Sequence, residues 1–264
     1  MFVDSHCHLS FPELHGRIGD IRAAMRAAQV DRALCICTTL EEFGTVHALA
    51  LEHDNFWASA GVHPDNEGVQ EPTVADLLRL AALPRVVAIG ETGLDYYRLN
   101  GRSIEQMAWQ RERFRVHIRA ARQSGLPLVV HTRSASDDTV SLLREEGAGQ
   151  VRGVFHCFTE TQTVADAALA LGFYISFSGI LSFKNAAALR EVARQVPLER
   201  CLIETDSPYL APVPYRGKVN QPAYVPLVAE QIALLKGCTV DEVARATSRN
   251  FEDLFGLPAD AFGQ

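Results

Sequence analysis

The stretch FVDSHCH at residues 2–8 is a short apolar strand pattern that ends in His6 and His8, two histidines separated by one residue. Residues two apart on a strand face the same side, so both imidazoles can point to one place while Cys7 faces the other way. Two imidazoles on one face at a strand end form half of a site for a divalent metal. A polar pair that merely closes a strand is the alternative interpretation.

The rest of the chain repeats this unit: apolar or β-branched runs alternate with stretches of helical period, which is typical of a mainly parallel sheet. We predict strands at residues 2–8, 32–38, 56–62, 86–91, 126–131, 153–156, 173–177 and 201–206. We predict helices near residues 17–29, 41–53, 73–82, 104–124, 135–146, 161–171, 185–195, 224–236 and 239–254. Thr73 is a candidate N-cap, and Gly125 is a candidate helix end.

Eight such units in 264 residues are compatible with a closed barrel or with an open doubly wound sheet. An open sheet gathers its site at one switch point, whereas a barrel takes site residues from the carboxyl ends of many strands. Polar candidate residues end the first, fourth, fifth, sixth and eighth predicted strands. We therefore predict an α/β fold of the (β/α)8 TIM-barrel type, with one domain over residues 1–264.

Composition and charge exclude several classes of protein. The formal net charge of −7 argues against a general polyanion binder, so a phosphate-bearing substrate must be attracted locally. Because the sequence has no run of about 18 apolar residues and no secretory signal pattern, we expect a cytoplasmic protein without a membrane partner. The six cysteines form no C-x-x-C pair, which favours free thiols. Motifs of P-loop proteins, serine hydrolases and H-E-x-x-H metalloproteases are missing.

Further candidate ligands stand at the ends of other predicted strands. Glu91 follows an apolar run that should be buried, and a buried carboxylate needs a nearby cation. His131 and His156 stand where the apolar runs of the fifth and sixth strands stop, although either alone is more often a hydrogen-bonded core residue. By the period of two, Glu204 and Asp206 share a face of the eighth strand. Together these positions indicate two divalent metal ions bridged by a carboxylate, with ligands His6, His8, Glu91, His131, His156 and Asp206.

Eight motifs extend along nearly the whole chain: VDSHCHL (3–9), GVHP (61–64), IGETGLDYYR (89–98), LVVHTR (128–133), FHCFT (155–159), ISFSGILSFKNA (175–186), ETDSPYLAP (204–212) and NFEDLFGL (250–257). With these motifs the chain resembles the TatD family of metal-dependent deoxyribonucleases, in the subgroup that retains the first-strand His-x-His. The resemblance implies an amidohydrolase-like barrel and the same six metal ligands, with Glu91 bridging. It also implies that His63 lies near the scissile phosphate, whereas an exposed loop histidine is the alternative. Glu204 would contact a possible third metal ion or orient a ligand.

Two places depart from the pattern of the family: Glu160 and Thr161 follow FHCFT where a small pair is usual, and Gln221 stands where glutamate is common. These departures leave the metal ligands intact and concern the substrate path. Six basic residues in or beside predicted strand-to-helix loops could form a local basic rim: Arg98, Arg102, Arg133, Lys184, Arg216 and Lys218. Arg133, Arg216 and Lys218 are the candidate substrate-binding residues, and scattered solvated charges are the alternative.

These residues predict a metal-dependent hydrolase of the phosphodiesterase type. We expect water to attack a phosphodiester bond of DNA, single-stranded or at an end, with Asp206, Glu91 and His63 as catalytic residues. Zn, Mg or Mn would serve as the two ions. One alternative is hydrolysis of an ester, amide or aminoacyl-tRNA bond at the same site, because a fold does not determine the substrate. The other is a non-enzymatic metal-binding protein. No stable protein partner is implied.

Overall fold

The computed structural model describes residues 1–258 and shows eight parallel strands that pair in sequence order. The strands are β1 (Phe2–Cys7), β2 (Val30–Cys35), β3 (Phe56–Ala60), β4 (Val86–Asp95), β5 (Leu128–Arg133), β6 (Gly153–Phe155), β7 (Tyr174–Phe177) and β8 (Cys201–Ile203). A parallel bridge between Cys7 and Ser207 joins β1 to the segment after β8, so the sheet forms a nearly closed barrel. The predicted (β/α)8 fold is confirmed.

Helices follow the strands and pack on the outside of the barrel. Within residues 1–258 the α-helices are α1 (Pro12–His15), α2 (Ile18–Ala27), α3 (Phe43–Glu52), α4 (Val74–Ala81), α5 (Ala108–Ser124), α6 (Ser136–Gly147), α7 (Gln162–Ala170), α8 (Ala187–Gln195), α9 (Val225–Lys236) and α10 (Val240–Phe255). Our predictions missed α1, because a single turn is too short to display a helical period. In this described part, no helix has both the length and the apolar character needed to span a membrane.

Local sequence signals set several helix ends. Thr73 caps α4 as predicted: its hydroxyl accepts a hydrogen bond from the Asp76 N–H, and the Asp76 carboxylate accepts one from the Thr73 N–H. Thr239 and Glu242 form the same capping box on α10. Gly125 ends α5 in the left-handed conformation, with φ 74°, also as predicted. Such ends depend on neighbouring residues only, so the sequence is sufficient to locate them.

The barrel interior is filled with apolar side chains. Strand residues pack there against three residues of α10, which are Phe251, Leu254 and Phe255. The strand residues are Val3, Leu34, Val87, Val129, Val154 and Leu202. Helix α10 lies at the amino-terminal end of the barrel, where the Ser248 hydroxyl donates to the Met1 carbonyl oxygen at 3.2 Å. Because that end is covered and the interior is packed, a ligand can enter only at the carboxyl ends of the strands.

Strand β4 is longer than predicted and continues past Glu91 to Asp95. Its pairing with β5 shifts register between Ile89 and Thr92, and the strand then resumes opposite Val130. Glu91 therefore lies within an irregularity of the strand rather than at its end. A register shift depends on the neighbouring strand, so the pattern of β4 alone could not show it.

Strand β8 is shorter than predicted and ends at Ile203. The Glu204 N–H still donates to the Phe177 carbonyl oxygen of β7 at 3.0 Å, but Thr205 bonds to a side chain of β1. Asp4 Oδ1 accepts from the Thr205 N–H at 2.9 Å, and Asp4 Oδ2 from the Thr205 hydroxyl at 2.5 Å. Asp206 then has φ 54°, in the left-handed region. Glu204 and Asp206 therefore do not share a strand face, although both side chains reach the site described below.

The single domain predicted over residues 1–264 stays a prediction. Its last six residues, 259–264, lie outside the part of the chain that the structure describes.

Candidate metal centre

The six candidate ligands meet at the carboxyl ends of the strands. They are His6 on β1, His8 directly after β1, Glu91 within β4, His131 on β5, His156 directly after β6 and Asp206 after β8. Together with His63, their nitrogen and oxygen atoms form overlapping groups of three, and within each group the atoms lie within 4.8 Å of one another. The cluster forms the floor of a cavity of about 650 Å³ at the barrel mouth.

Two glycines allow Glu91 to approach β5. Gly93 has φ 136°, and a Cβ at this position would lie 1.9 Å from the carbonyl oxygen of His131. Gly90 has φ 144°, and a Cβ there would lie 2.6 Å from the carbonyl oxygen of Val129. Only glycine tolerates both the backbone conformation and the close approach. The sequence GETG thus brings a Glu91 oxygen within 3.3 Å of the His131 Nδ1 atom.

The two oxygens of Glu91 face different histidines. Oε2 lies 3.2 Å from His6 Nε2 and 3.8 Å from His8 Nε2. Oε1 lies 2.7 Å from His156 Nε2 and 3.3 Å from His131 Nδ1. The carboxylate therefore stands between a pair of histidines from β1 and a pair from β5 and β6, which is the arrangement of a bridging ligand.

Asp206 completes the group on the β1 side. Its Oδ1 atom lies 3.2 Å from His8 Nε2 and 3.5 Å from His6 Nε2. The Asp206 N–H donates to the His6 carbonyl oxygen at 2.9 Å, so the backbone of the aspartate is anchored on β1. The ligand sets on the two sides of Glu91 thus differ: two imidazoles and a second carboxylate on one side, and two imidazoles on the other.

Carboxylates behind the second pair hold each imidazole in one orientation. Asp95 Oδ2 lies 3.0 Å from His131 Nε2, so that nitrogen donates to Asp95 and Nδ1 faces Glu91. Glu204 Oε1 lies 3.2 Å from His156 Nδ1, so in His156 it is Nε2 that faces Glu91. Sequence reasoning missed Asp95. Its signal was a carboxylate within a run of residues that are all buried, a position that requires a polar partner.

The charges of the site reinforce one another. Burial alone would raise the pKa of Glu91, but the imidazoles of His156, His63 and His6 outweigh burial and lower that pKa well below its usual range. Burial alone would lower the pKa of His156, but the carboxylates of Glu91 and Glu204 raise it well above its usual range. The cluster therefore favours additional positive charge at its centre.

The donor set fits divalent metal ions. Two buried side-chain atoms beside Glu91 and His156 make no hydrogen bond: Glu204 Oε2, and His156 Nε2, which lies 2.7 Å from the Glu91 Oε1 atom without hydrogen-bond geometry. Unmet buried polar atoms are costly, and a bound cation satisfies lone pairs such as that of His156 Nε2. Imidazole nitrogen suits zinc, while carboxylate oxygen also suits magnesium and manganese.

His63 lies beside the cluster with one tautomer favoured. Its Nδ1 atom accepts the Asp65 N–H at 3.0 Å, so the neutral ring carries its proton on Nε2. Nε2 lies 3.2 Å from Glu91 Oε1 at the floor of the cavity. The resemblance implies that His63 donates a hydrogen bond to the substrate, and this role stays a prediction.

The six basic residues of the predicted rim have different surroundings in the structure. Arg133 and Arg98 line the cavity, whereas Arg102 forms a two-point ion pair with Glu67. The remaining three, Lys184, Arg216 and Lys218, are not among the described residues that line the cavity. The Arg216 guanidinium lies 3.7 Å from the Phe183 ring centroid, and the Lys218 Nζ atom lies 5.8 Å from the Tyr215 ring centroid.

The two departures from the family pattern lie outside the ligand cluster. Glu160 Oε2 accepts a hydrogen bond from the Ser136 hydroxyl at 2.8 Å, which ties the start of α7 to the start of α6. Gln221 lines a separate shallow surface depression with Tyr215 and Tyr224. Neither side chain lines the mouth cavity formed by the described residues.

Comparison with known proteins points to one family. Residues 3–256 match the model of a family described as TatD related DNase. The chain is 50% identical over 261 residues to the uncharacterized metal-dependent hydrolase YcfH of Escherichia coli K12, covering 97% of this chain and 96% of that protein. It is 35% identical over 239 residues to a protein of Erwinia amylovora named 3'-5' ssDNA/RNA exonuclease TatD, covering 88% and 91%. The crystal structure of YjjV, a TatD homologue from Escherichia coli K12, matches with a TM-score of 0.90 at 27% identity, covering 97% and 98%.

Proposed function

Because this chain belongs to the TatD-related DNase family of metal-dependent hydrolases, we propose that it is a deoxyribonuclease that hydrolyses phosphodiester bonds at the end of single-stranded DNA. The observation that carries this proposal is the position of Glu91, whose two oxygens face two separate pairs of histidines. Such a site suits two metal ions, and paired metal ions are typical of enzymes that hydrolyse phosphodiesters. The relative named as an exonuclease supports the choice of substrate.

The ligands divide into two sets that share Glu91. His6, His8, Glu91 and Asp206 would hold one divalent ion, and Glu91, His131 and His156 would hold the other. When bound, these ions act as Lewis acids on a phosphate oxygen and lower the pKa of water. Glu204 positions His156 through Oε1, and its unpaired Oε2 would be available to a third ion.

The side chains around the ions supply proton transfer and orientation. Asp206 orients the attacking water and accepts its proton, because its carboxylate borders the cavity. The water oxygen bonds to phosphorus while one P–O ester bond breaks, which leaves a phosphate on one product and an alkoxide oxygen on the other. His63 donates its Nε2–H to a phosphate oxygen or to the leaving oxygen, which needs a proton.

The proposal is tested by incubating metal-free protein with labelled single-stranded DNA, with RNA and with an aryl ester, and adding Zn, Mg or Mn in turn. We expect at least one metal to restore cleavage of DNA. The variant Asp206→Asn should lower turnover roughly 10³-fold or more, because it removes a ligand charge and the proton acceptor. Its thermal unfolding midpoint in metal-free buffer should stay close to that of the unsubstituted protein.

The matched control is Asp20→Asn, which removes an exposed aspartate on α2 that is not among the residues lining the mouth cavity. This variant should cleave DNA at the unsubstituted rate. Cleavage of the aryl ester alone would contradict the proposal and favour a carbonyl substrate. Unchanged DNA turnover by Asp206→Asn with metal present would contradict the assignment of the site.

A further inference from the structure

The cavity at the barrel mouth has features that the metal ligands do not explain. Its lining includes two aromatic residues, Phe11 and Tyr209, and an arginine, Arg133. The aromatic residues come from the segments after β1 and β8, whereas Arg133 ends β5. In a ring of eight strands these positions are on opposite sides, so the metal centre lies between an aromatic wall and a basic wall.

The aromatic wall is rigidly attached. The Phe11 ring stacks on the His8 imidazole, with centroids 4.6 Å apart, and meets the Tyr209 ring edge-on at 6.2 Å. Tyr209 is held by its backbone: its N–H donates to the Asp206 carbonyl oxygen at 3.0 Å, and its carbonyl oxygen accepts from the side chain of the buried Asn220 at 2.7 Å.

Despite this fixed backbone, 52% of Tyr209 remains exposed. A fixed aromatic ring with a free face next to a hydrolytic site is suited to stacking of a nucleobase, because every base has a flat π surface.

The basic wall carries an arginine without a carboxylate partner. The Arg133 guanidinium lies 3.7 Å from the centroid of the Tyr97 ring, and within residues 1–258 it has no acidic group at ion-pair distance. His131 and Arg133 are two residues apart on β5, so both point to the same side of the strand. Arg133 is therefore placed directly beyond a candidate metal ligand, toward the mouth.

Other arginines of the same region are paired with carboxylates. Arg102 pairs with Glu67, and Arg113 pairs with Glu71. Arg133 differs from them because an aromatic ring, and not an acid, holds its guanidinium flat. An unpaired planar guanidinium in a cavity is suited to two-point binding of a phosphate.

Resting on the proposed function, we propose that the mouth contains a subsite for one unpaired nucleotide next to the bond that is cleaved. The base stacks on Tyr209, which Phe11 supports from the side, and a flanking phosphate binds to Arg133, which Tyr97 supports. The scissile phosphate lies between the two walls, over Glu91 and Asp206. A base that is stacked within a duplex cannot offer its face to Tyr209, so the subsite selects frayed or single-stranded ends.

The volume of the cavity agrees with the binding of a single nucleotide. About 650 Å³ lies within the range of roughly 300–1,000 Å³ that is usual for sites of small ligands. A duplex would remain outside, because its bases are stacked and paired. The subsite would thus restrict the enzyme to the terminal nucleotide of a strand.

The decisive experiment compares two single-stranded DNA substrates that differ only in the terminal nucleotide, which is either intact or abasic. Both ends of the strand are tested separately. We expect Tyr209→Ala to lower kcat/KM about 10-fold on the intact substrate and less than about 2-fold on the abasic one, because only the former has a base to stack. Tyr209→Phe keeps the ring and should stay within about 2-fold of the unsubstituted enzyme on both.

The basic wall is tested on the same two substrates. Arg133→Met should lower kcat/KM about 10-fold on both, because both retain the phosphate, and should reduce the salt dependence of binding by about one unit of slope. The control Arg26→Met removes an exposed arginine of α2 and should change neither value.

Equal losses on both substrates for Tyr209→Ala, or no loss on either, would overturn the subsite. Binding of the same oligonucleotides by Asp206→Asn, with and without Tyr209→Ala, separates this proposal from the proposed function. If the metal-loaded enzyme cleaves no DNA but Tyr209→Ala weakens binding of the intact oligonucleotide alone, the nuclease assignment fails and the subsite stands. If cleavage occurs and base-dependent binding is absent, the subsite fails and the nuclease assignment stands.

Discussion

Asp95 and His131 show how one buried carboxylate can determine which nitrogen of a histidine is available to a metal. The hydrogen bond at 3.0 Å from His131 Nε2 to Asp95 leaves Nδ1 free to face Glu91. Burial alone would raise the pKa of Asp95, but the hydrogen bond and charge of His131, the Tyr97 N–H and the charge of His63 together outweigh burial and lower that pKa, so the carboxylate stays ionised. Carboxylate partners of this kind fix the orientation of a ligand and increase its basicity.

We expect Asp95→Asn to weaken the affinity of the protein for one of two metal ions by roughly 10–100-fold. The neutral amide holds the Nε2–H of His131 less strongly, so the imidazole becomes a poorer and less well oriented ligand. The measurement is a competition titration of the metal-free protein with a chromogenic chelator, which reports affinity without relying on turnover.

Asp137→Asn, at an exposed position of α6, is the matched control and should bind both ions as the unsubstituted protein does. Circular dichroism should show that both variants fold. Two unchanged affinities in the Asp95→Asn variant would mean that Asp95 serves packing only.

At the level of elements, His117 joins helix α5 to the end of β3. Its Nε2 atom accepts the Val62 N–H at 3.0 Å, and its Nδ1–H donates to the Arg113 carbonyl oxygen at 2.8 Å. The imidazole is fully buried, and burial lowers its pKa from the usual 6.5 to about 4. A protonated ring would lose the bond from Val62, because it would then present two donors.

This contact predicts a pH dependence of stability. The unfolded chain binds a proton at His117 near pH 6.5, whereas the folded protein resists protonation down to about pH 4. The contribution of His117 is therefore complete above pH 6.5 and is lost as the pH falls from there toward 4. Lowering the pH from 7.5 to 5 should therefore reduce the free energy of unfolding by about 2 kcal/mol through His117.

Urea unfolding of metal-free protein at several pH values measures this effect. His117→Gln, which has no titrating ring, should show a flatter pH dependence by that amount, while the exposed His15→Gln should keep the dependence of the unsubstituted protein. Identical pH dependence in His117→Gln and the unsubstituted protein would show that His117 does not titrate between the folded and unfolded states as described.

For the whole molecule, the metal centre depends on closure of the barrel. His8 and Asp206 are 198 residues apart in sequence, yet their ligand atoms lie 3.2 Å apart because the segment after β8 pairs with β1. The unfolded chain cannot assemble such a site. Ions that bind the folded state alone stabilise it by mass action.

We therefore expect divalent metal to raise the thermal unfolding midpoint. At a free metal concentration 100 times the dissociation constant, the stabilisation is about 2.7 kcal/mol per ion, which is on the order of 5–10 °C for a chain of this size. Calorimetry with metal and with a chelator measures the shift. Asp206→Asn should reduce the shift while Asp20→Asn preserves it, and equal midpoints with and without metal would contradict a metal centre.

Features that depend only on neighbouring residues could be predicted from the sequence. The alternation of strand and helix, the N-cap at Thr73 and the helix end at Gly125 are local, and the structure confirms them. The candidate ligands were also visible, because a polar residue that interrupts a buried apolar run needs a partner. The eight units alone were compatible with a barrel or an open sheet, and the polar residues at the ends of several predicted strands favoured the barrel.

Only the tertiary structure decided which atoms meet. The course of β4 past Glu91, the left-handed turn at Asp206 and the partnership of Asp95 with His131 all depend on contacts between distant segments. So does the placement of Tyr209 and Arg133 on opposite walls of one cavity. Sequence patterns report whether a residue tends to be buried or exposed. They do not report the register between strands, and that register sets the distances on which the chemistry of the site depends.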